Sequence, residues 1–219
     1  HEALEFLYDE ILSKRLPFID SIIEKYHEKW ESNWHDRIAL VHKDKNIKFY
    51  YELGERCLAG YYRSYAPFKQ SVIGTEVEFI FSLNNTNDYI FKGIVDRIDH
   101  DGNGNYEIHD YKSGKRAMSF NQAKKDKQLA LYQIALEQNY NNIKSVRLIW
   151  HFLQHNIEVE SNRSIKELNS LIKDTTSKID KIRNKIDSDE NFLPKESILC
   201  NWCYFWEECS AKTGTNPYI

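Results

Sequence analysis

Glycine and proline are scarce in this chain, 8 and 4 of 219 residues, and no internal repeat organises them. Collagen-like and low-complexity architectures are therefore excluded, and 41% hydrophobic with 14% aromatic residues excludes intrinsic disorder. Long apolar runs are missing too: nothing approaches the roughly 18 consecutive apolar residues of a membrane span. The opening His1-Glu2-Ala3-Leu4-Glu5 has neither the basic nor the apolar region of a secretory signal. The expectation is a soluble cytoplasmic protein with no membrane partner, trimmed at its N-terminus because the chain begins without Met. An excess of positive charge is absent: 30 Lys and Arg against 33 Asp and Glu leave a net charge of −3, so any site for a polyanion must be local. Cysteine, with 4 residues at 57, 200, 203 and 209, is too rare and too uneven to staple a secreted mini-domain. No glycine-rich phosphate loop or G-x-S-x-G elbow occurs, which disfavours an ATPase or a serine hydrolase.

At 219 residues the chain fits one large domain, since domains usually run about 100–200 residues. It hides roughly 70% of its unfolded surface on folding. From Glu2 to about Ala66 apolar residues recur at helical spacing: Leu4, Leu7 and Ile11, then Ile19, Ile22, Ile23, Tyr26 and Trp30, with Pro17 between the runs. A third helical run over Phe49–Tyr65 stops before Pro67. The period then changes, for Val77, Phe79, Phe81 and Leu83 alternate with Glu76, Glu78, Ile80 and Ser82 as in a strand. Two more strands, Tyr89–His100 and Asn105–Lys112, flank Asp101-Gly102-Asn103-Gly104, whose residues suit the positive φ of a tight hairpin. A helix over about Ser119–Gln138, a strand over Val146–Leu153 and a long polar helix over Ile165–Ile186 follow. The expected architecture is one α/β domain: a helical region over 1–70, a core of mixed β-sheet flanked by helices over 71–155, and a long helix with a cysteine segment over 156–219.

The hairpin carries the chemistry. Strands paired about Asn103 set Asp96 opposite Asp110 and Ile98 opposite Ile108. One face then holds Ile94, Asp96, Ile98, Tyr106, Ile108, Asp110 and Lys112, the other Val95, Arg97, Asp99, Glu107, His109 and Tyr111. Two carboxylates side by side on a mostly apolar face repel and lose hydration unless a cation or proton compensates. A divalent metal resolves that conflict, and Lys112 places an ammonium at its edge, within reach of a phosphate or an attacking water. This arrangement suits metal-assisted phosphodiester hydrolysis.

The series Gly93-Ile94-Val95-Asp96-Arg97-Ile98-Asp99, then Asp110-Tyr111-Lys112-Ser113-Gly114, then Gln128-Leu129-Ala130-Leu131-Tyr132 resembles the PD-(D/E)XK nucleases of the RecB/AddB type, over nearly the whole chain. The resemblance implies a restriction-endonuclease-like mixed sheet with Mg²⁺ or Mn²⁺ held by Asp96, Asp110, the backbone carbonyl of Tyr111, and His1 of an H-E-x-L-E-like start. Lys112 would activate the hydrolytic water, Glu76 would be the strand glutamate near the metal with Glu78 as its alternate, and Gln128 and Tyr132 would contact the nucleic-acid backbone or brace the site. Lys115, Arg116, Lys124, Lys125 and Lys127 make the following region locally basic, fit either for solvent or for tracking phosphates. The other histidines show no ligand spacing.

Cys200, Cys203 and Cys209 form C-x₂-C-x₅-C amid Trp202, Tyr204, Phe205 and Trp206. This resembles the C-terminal part of the iron–sulfur staple of AddB and of CRISPR-associated adaptation nucleases, which implies a [4Fe–4S] cluster whose fourth cysteine is Cys57 or lies upstream of His1. Zinc also satisfies such thiolate sites. The implied function is a metal-dependent DNA nuclease, an exonuclease acting on single strands or duplex ends, alone or with a helicase partner. The alternatives are a nuclease-like module that binds DNA or a partner without cutting, and a metal-stapled structural domain.

Overall fold

The structure, a computed structural model, describes residues 1–211 apart from 37, 39, 41, 43 and 85. The final part of the expected C-terminal segment, 212–219, lies outside the described residues. Three helices come first: α1 (Glu2–Leu12), α2 (Ile19–Asn33) and α3 (Ile47–Tyr65). The Asn46 side chain accepts the Phe49 N–H at 2.9 Å, a cap that starts α3 at Ile47. Gly54 lets α2 and α3 approach closely, because a Cβ there would collide with the Tyr26 hydroxyl.

The strands are β1 (Val72–Ser82), β2 (Ile90–His100), β3 (Asn105–Lys112), β4 (Ser145–Phe152) and β5 (Ile157–Ser161), in spatial order β1-β2-β3-β4-β5. All neighbours are antiparallel except β3 and β4, so the sheet is mixed. A parallel pair needs a crossover, supplied by α4 (Phe120–Ala123) and α5 (Gln128–Asn139). The helix expected over Ser119–Gln138 is thus two: Asp126 accepts the Leu129 N–H at 3.2 Å near the start of α5, and Arg163 caps the carbonyls of Ala123 and Asp126 between them. Strand β5 was not expected; its short Ile157-Glu158-Val159-Glu160 alternation extends the sheet past residue 155.

Each face of the sheet packs on helices. On one, Val95, Ile98, Ile108, Leu148 and Trp150 meet Leu129, Ile134 and Leu136 of α5 and Leu168 and Leu171 of α6 (Ile165–Asp187). On the other, Tyr111 joins Leu4, Leu7 and Tyr8 of α1, Ile22 of α2, and Leu58 and Tyr61 of α3. Sandwiched between sheet and α6, α5 buries residues all round. One expectation about facing is corrected: Val95 packs in the same cluster as Ile98, not with Arg97. The alternation of β2 therefore breaks across Asp96 and Arg97, beside an irregular stretch of β1 where Glu76 takes a left-handed φ of 44°. The cysteine segment follows α6, with a 3₁₀ turn over Ile198–Trp202 and Trp206 buried.

Candidate metal centre

The hairpin turn fixes the register. Asp101 Oδ1 accepts the N–H groups of Asn103 and Asn105 at 2.7 and 3.1 Å, Gly102 and Gly104 take φ of 80° and 96°, and Ile98 faces Ile108 as the centre at Asn103 requires. The ladder continues to Arg97–His109. At the next step the Tyr111 N–H donates at 2.8 Å to Asp96 Oδ2, so a carboxylate takes the place of a main-chain acceptor. That bond aims Asp96 toward His1, whose Nδ1 lies 3.4 Å from the same oxygen.

Glu76 joins them: one ligand atom each from His1, Glu76 and Asp96 lies within 4.8 Å of the others. The left-handed backbone at Glu76 is the local cause, and it separates this residue from Glu78, which is exposed and paired with Lys92 at 2.7 Å. Of the two candidate glutamates, the structure brings Glu76 to the group. Hydrogen bonding to Asp96 raises the His1 pKa above the ordinary histidine value, and burial, followed by the Asp96 charge, raises that of Glu76.

Asp110 lies beside this group, within electrostatic reach of both Asp96 and His1, though not among the atoms within 4.8 Å. It is 3% exposed, and burial pushes its carboxyl up to about 6 against the opposing pull of Lys112. Lys112 Nζ donates to Asp110 Oδ1 at 2.9 Å and to Gln128 Oε1 at 3.0 Å. Asp110 Oδ2 lies 2.7 Å from the same ammonium but has no well-directed donor, and it is buried. A buried carboxylate held by one partly exposed ammonium regains only part of its lost hydration, which favours a further cation. Three carboxylates and one imidazole offer a mainly oxygen donor set, which fits Mn²⁺ well and Mg²⁺ acceptably.

Gln128 opens α5, holds Lys112, and donates to the Tyr132 hydroxyl at 3.4 Å. Tyr132 lies on Gly93, where a Cβ would come within 2.7 Å of its ring. Lys115, Arg116, Lys124, Lys125 and Lys127 are exposed beyond the strand end, with Lys124 over the Phe120 ring.

The cysteines are not gathered in the same way. Cys57 is buried in α3, and burial raises its thiol pKa, which favours a small packed hydrophobe over a thiolate ligand. Cys200 Sγ accepts the Ser197 N–H at 3.4 Å. Among the described residues, no group of three metal-ligating side chains within 4.8 Å includes a cysteine.

Arg97, Asp99, His109 and His151 are buried under α1 and α3, far deeper than their charge and strand alternation predict. The signal available was Arg97-x-Asp99, an ion pair on one strand face with His109 across the hairpin. No helix among the described residues is long and apolar enough to cross a membrane.

A family model described as the PD-(D/E)XK nuclease superfamily matches residues 1–210. No curated protein matches. Among solved structures, SSO0001 is 17% identical with a TM-score of 0.42, covering 88% of this chain and 95% of that one. A candidate exonuclease from Eubacterium rectale is 12% identical with a TM-score of 0.45, covering 91% and 78%.

Proposed function

Because the chain belongs to the PD-(D/E)XK nuclease superfamily, we propose that it is a divalent-metal-dependent deoxyribonuclease of the RecB type, hydrolysing phosphodiester bonds as an exonuclease. The observation that carries this reading is the gathering of His1, Glu76 and Asp96 ligand atoms within 4.8 Å of one another beside the buried Asp110 carboxyl. His1, Asp96, Asp110 and the Tyr111 carbonyl would hold Mg²⁺ or Mn²⁺, with Glu76 adjacent. Bound there, the ion supplies Lewis-acid polarisation of the phosphate and a more acidic water.

The chain's own groups do the rest. Lys112, held by both oxygens of Asp110 and by Gln128, presents its ammonium at the edge of the site, where it would meet a phosphate oxygen or the attacking water. Gln128 fixes the ammonium from the helix side, and Tyr132 fixes Gln128. The Tyr111 N–H holds Asp96 in a single orientation before any ligand arrives.

For the cysteine segment we propose an iron–sulfur cluster on Cys200, Cys203 and Cys209 with a fourth ligand other than buried Cys57; zinc is the competing metal. Metal analysis and the visible absorption of anaerobically purified protein decide between them.

The nuclease reading is tested with labelled single- and double-stranded DNA plus Mg²⁺ or Mn²⁺. Lys112→Ala and Asp96→Ala are each expected to lower cleavage about 100- to 1,000-fold, the usual cost of removing a preorganised electrostatic group. Cleavage unchanged in both variants would reject it, and salt-sensitive binding without turnover under any divalent ion would leave a DNA-binding module.

A further inference from the structure

A cavity of about 970 Å³ lies between α2, α3 and the loop after β3. His1 lines it, and so do Ser113, Gly114 and Lys115, which directly follow Lys112, so the cavity shares His1 with the candidate metal centre and borders it. Its size is at the upper end of ordinary ligand pockets, about 300–1,000 Å³. Its wall is aromatic. Tyr26, Trp30 and Trp34 recur every fourth residue along one face of α2 and its C-terminal cap, and Phe49 and Tyr50 face them from α3.

Tyr26 packs against the core on the α1–α3 side, whereas Trp30, Trp34, Phe49 and Tyr50 are half-buried and belong to neither sheet-face core. Trp30 and Trp34 stack with centroids 5.5 Å apart and planes at 15°, forming a flat pile that borders open space. Cations line the same space: Lys29, Lys45 and Lys115. Lys29 pairs with Glu2 at 2.8 Å, and Lys45 sits 4.4 Å over the Phe49 ring and 3.4 Å from Asp44. Such partly exposed pairs are weak and exchange readily for a phosphate.

We propose that this cavity binds a few unpaired nucleotides of a single-stranded nucleic acid. Bases add to the Trp30–Trp34 pile, and the backbone passes Lys29, Lys45 and Lys115 toward the metal centre. Aromatic rings with interleaved cations grip any base through its π-face and any phosphate through charge. A duplex cannot use them, because its base faces are covered by their own neighbours. The inference rests on the hydrolytic reading only for the nature of the polymer that reaches the site.

The test is fluorescence anisotropy with labelled oligothymidylate, against a blunt duplex of equal length, on the intact protein in EDTA so that nothing is cut. Tighter binding of the single strand is expected. Trp34→Ala should weaken it roughly 5- to 150-fold, the effect of losing one stacked base. Trp34→Phe keeps a ring and should stay within about tenfold of the wild type. Lys45→Ala should lower the slope of log K against log salt by about 0.7. Phe18→Ala, an exposed ring that does not line the cavity, serves as the control and should bind as the wild type does.

The inference is overturned if duplex binds as tightly as single strand, if Trp34→Ala binds unchanged, if Trp34→Phe is as weak as Trp34→Ala, or if polyglutamate displaces the oligonucleotide as well as unlabelled oligothymidylate does. Single-strand binding lost in Trp34→Ala, in a protein that never cuts, would sink the hydrolytic reading alone. Metal-dependent cutting with binding indifferent to Trp34 would sink this one alone.

Discussion

The β2–β3 hairpin carries charged groups on both faces, and the two faces settle their charges differently. Toward α1 and α3, the buried Arg97 guanidinium donates to Asp99 at 2.9 and 3.2 Å and to the hydroxyls of Tyr61 and Tyr111 at 2.7 and 3.0 Å. His109 passes the network to His151 at 2.9 Å, and Arg147 pairs with Glu107. On the other side, at the open end of the hairpin between α5 and the start of α1, Asp110 leans on Lys112 alone, while Asp96 and Glu76 share the partly exposed His1 that caps α1. The ligand types are the same on both sides: Asp99, Glu107 and His109 also bring ligand atoms within 4.8 Å of one another. What separates the faces is balance, since one contains its own guanidinium groups and the other has more carboxylates than cations. Proximity of metal-binding side chains is common to both sides; uncompensated charge is what favours a cation on the second.

The largest expected effect breaks the balanced face. Arg97→Met leaves Asp99 buried without its cation and should cost about 3–5 kcal/mol of stability. In a chain of this size that lowers the thermal midpoint by roughly 6–20 °C. Replacing both partners, Arg97→Met with Asp99→Leu, should restore most of it, because the charge and its partner leave together. If the single substitution leaves the midpoint unchanged in a thermal scan, the network on this face is not structural.

The next effect concerns the unbalanced face. Mn²⁺ at a hundredfold excess over its Kd should stabilise the wild type by about 2.7 kcal/mol. Asp110→Asn should lose most of that gain yet be no less stable than the metal-free wild type, since it removes a buried, poorly satisfied charge. Thermal scans with and without Mn²⁺ measure both. An Asp110→Asn protein that is much less stable without metal would mean that this carboxylate is as well paired as Asp99.

Much of this contrast was legible in the sequence, and the remainder has physical reasons for being hidden. Asp101-Gly102-Asn103-Gly104 set the register, so the pairing of Ile98 with Ile108 and the nearness of Asp110 to Lys112 followed from turn chemistry and strand period, whereas the turn of Asp96 onto the Tyr111 N–H did not. Val95 did not, because the alternation of β2 breaks at Asp96, and no side-chain pattern announces a left-handed glutamate on the neighbouring strand. The burial of Arg97 was equally hidden: a charged residue alternating with Ile98 reads as solvent-facing until α1 and α3 are seen to cover that side. The stripe Tyr26, Trp30, Trp34 was visible as helical spacing, but whether such rings close a core or line a cavity depends on how two helices meet, which a single helix pattern cannot state.

Gly93 links the two kinds of knowledge, being explicit in the sequence and explained by the ring of Tyr132 that lies on it. Gly93→Ala should cost about 1–3 kcal/mol by overpacking. It should also lower cleavage by up to about 100-fold, through displacement of the Tyr132–Gln128–Lys112 brace. Tyr132→Ala in the same chain should return the stability but not the cleavage. Recovery of both would place Lys112 outside the influence of α5.

The smallest expected effect separates the faces by pH. A hydrogen bond from His109 first, and bonds from Arg147 second, hold the Glu107 carboxyl down to about 2, whereas burial holds Asp110 up to about 6. A carboxyl depressed in the folded state binds fewer protons than in the unfolded chain, so its stabilisation is complete above the ordinary glutamate value of 4.5 and is lost as pH falls toward about 2. Glu107 is partly exposed, and screening reduces the contribution to about 1 kcal/mol. Glu107→Gln should therefore be less stable than the wild type at neutral pH and indistinguishable from it near pH 2, as measured by urea unfolding across that window. A difference between the two proteins that stays constant from neutral to acid would show that Glu107 acts by packing, and that the charge balance of this face rests on Arg97 and Asp99 alone.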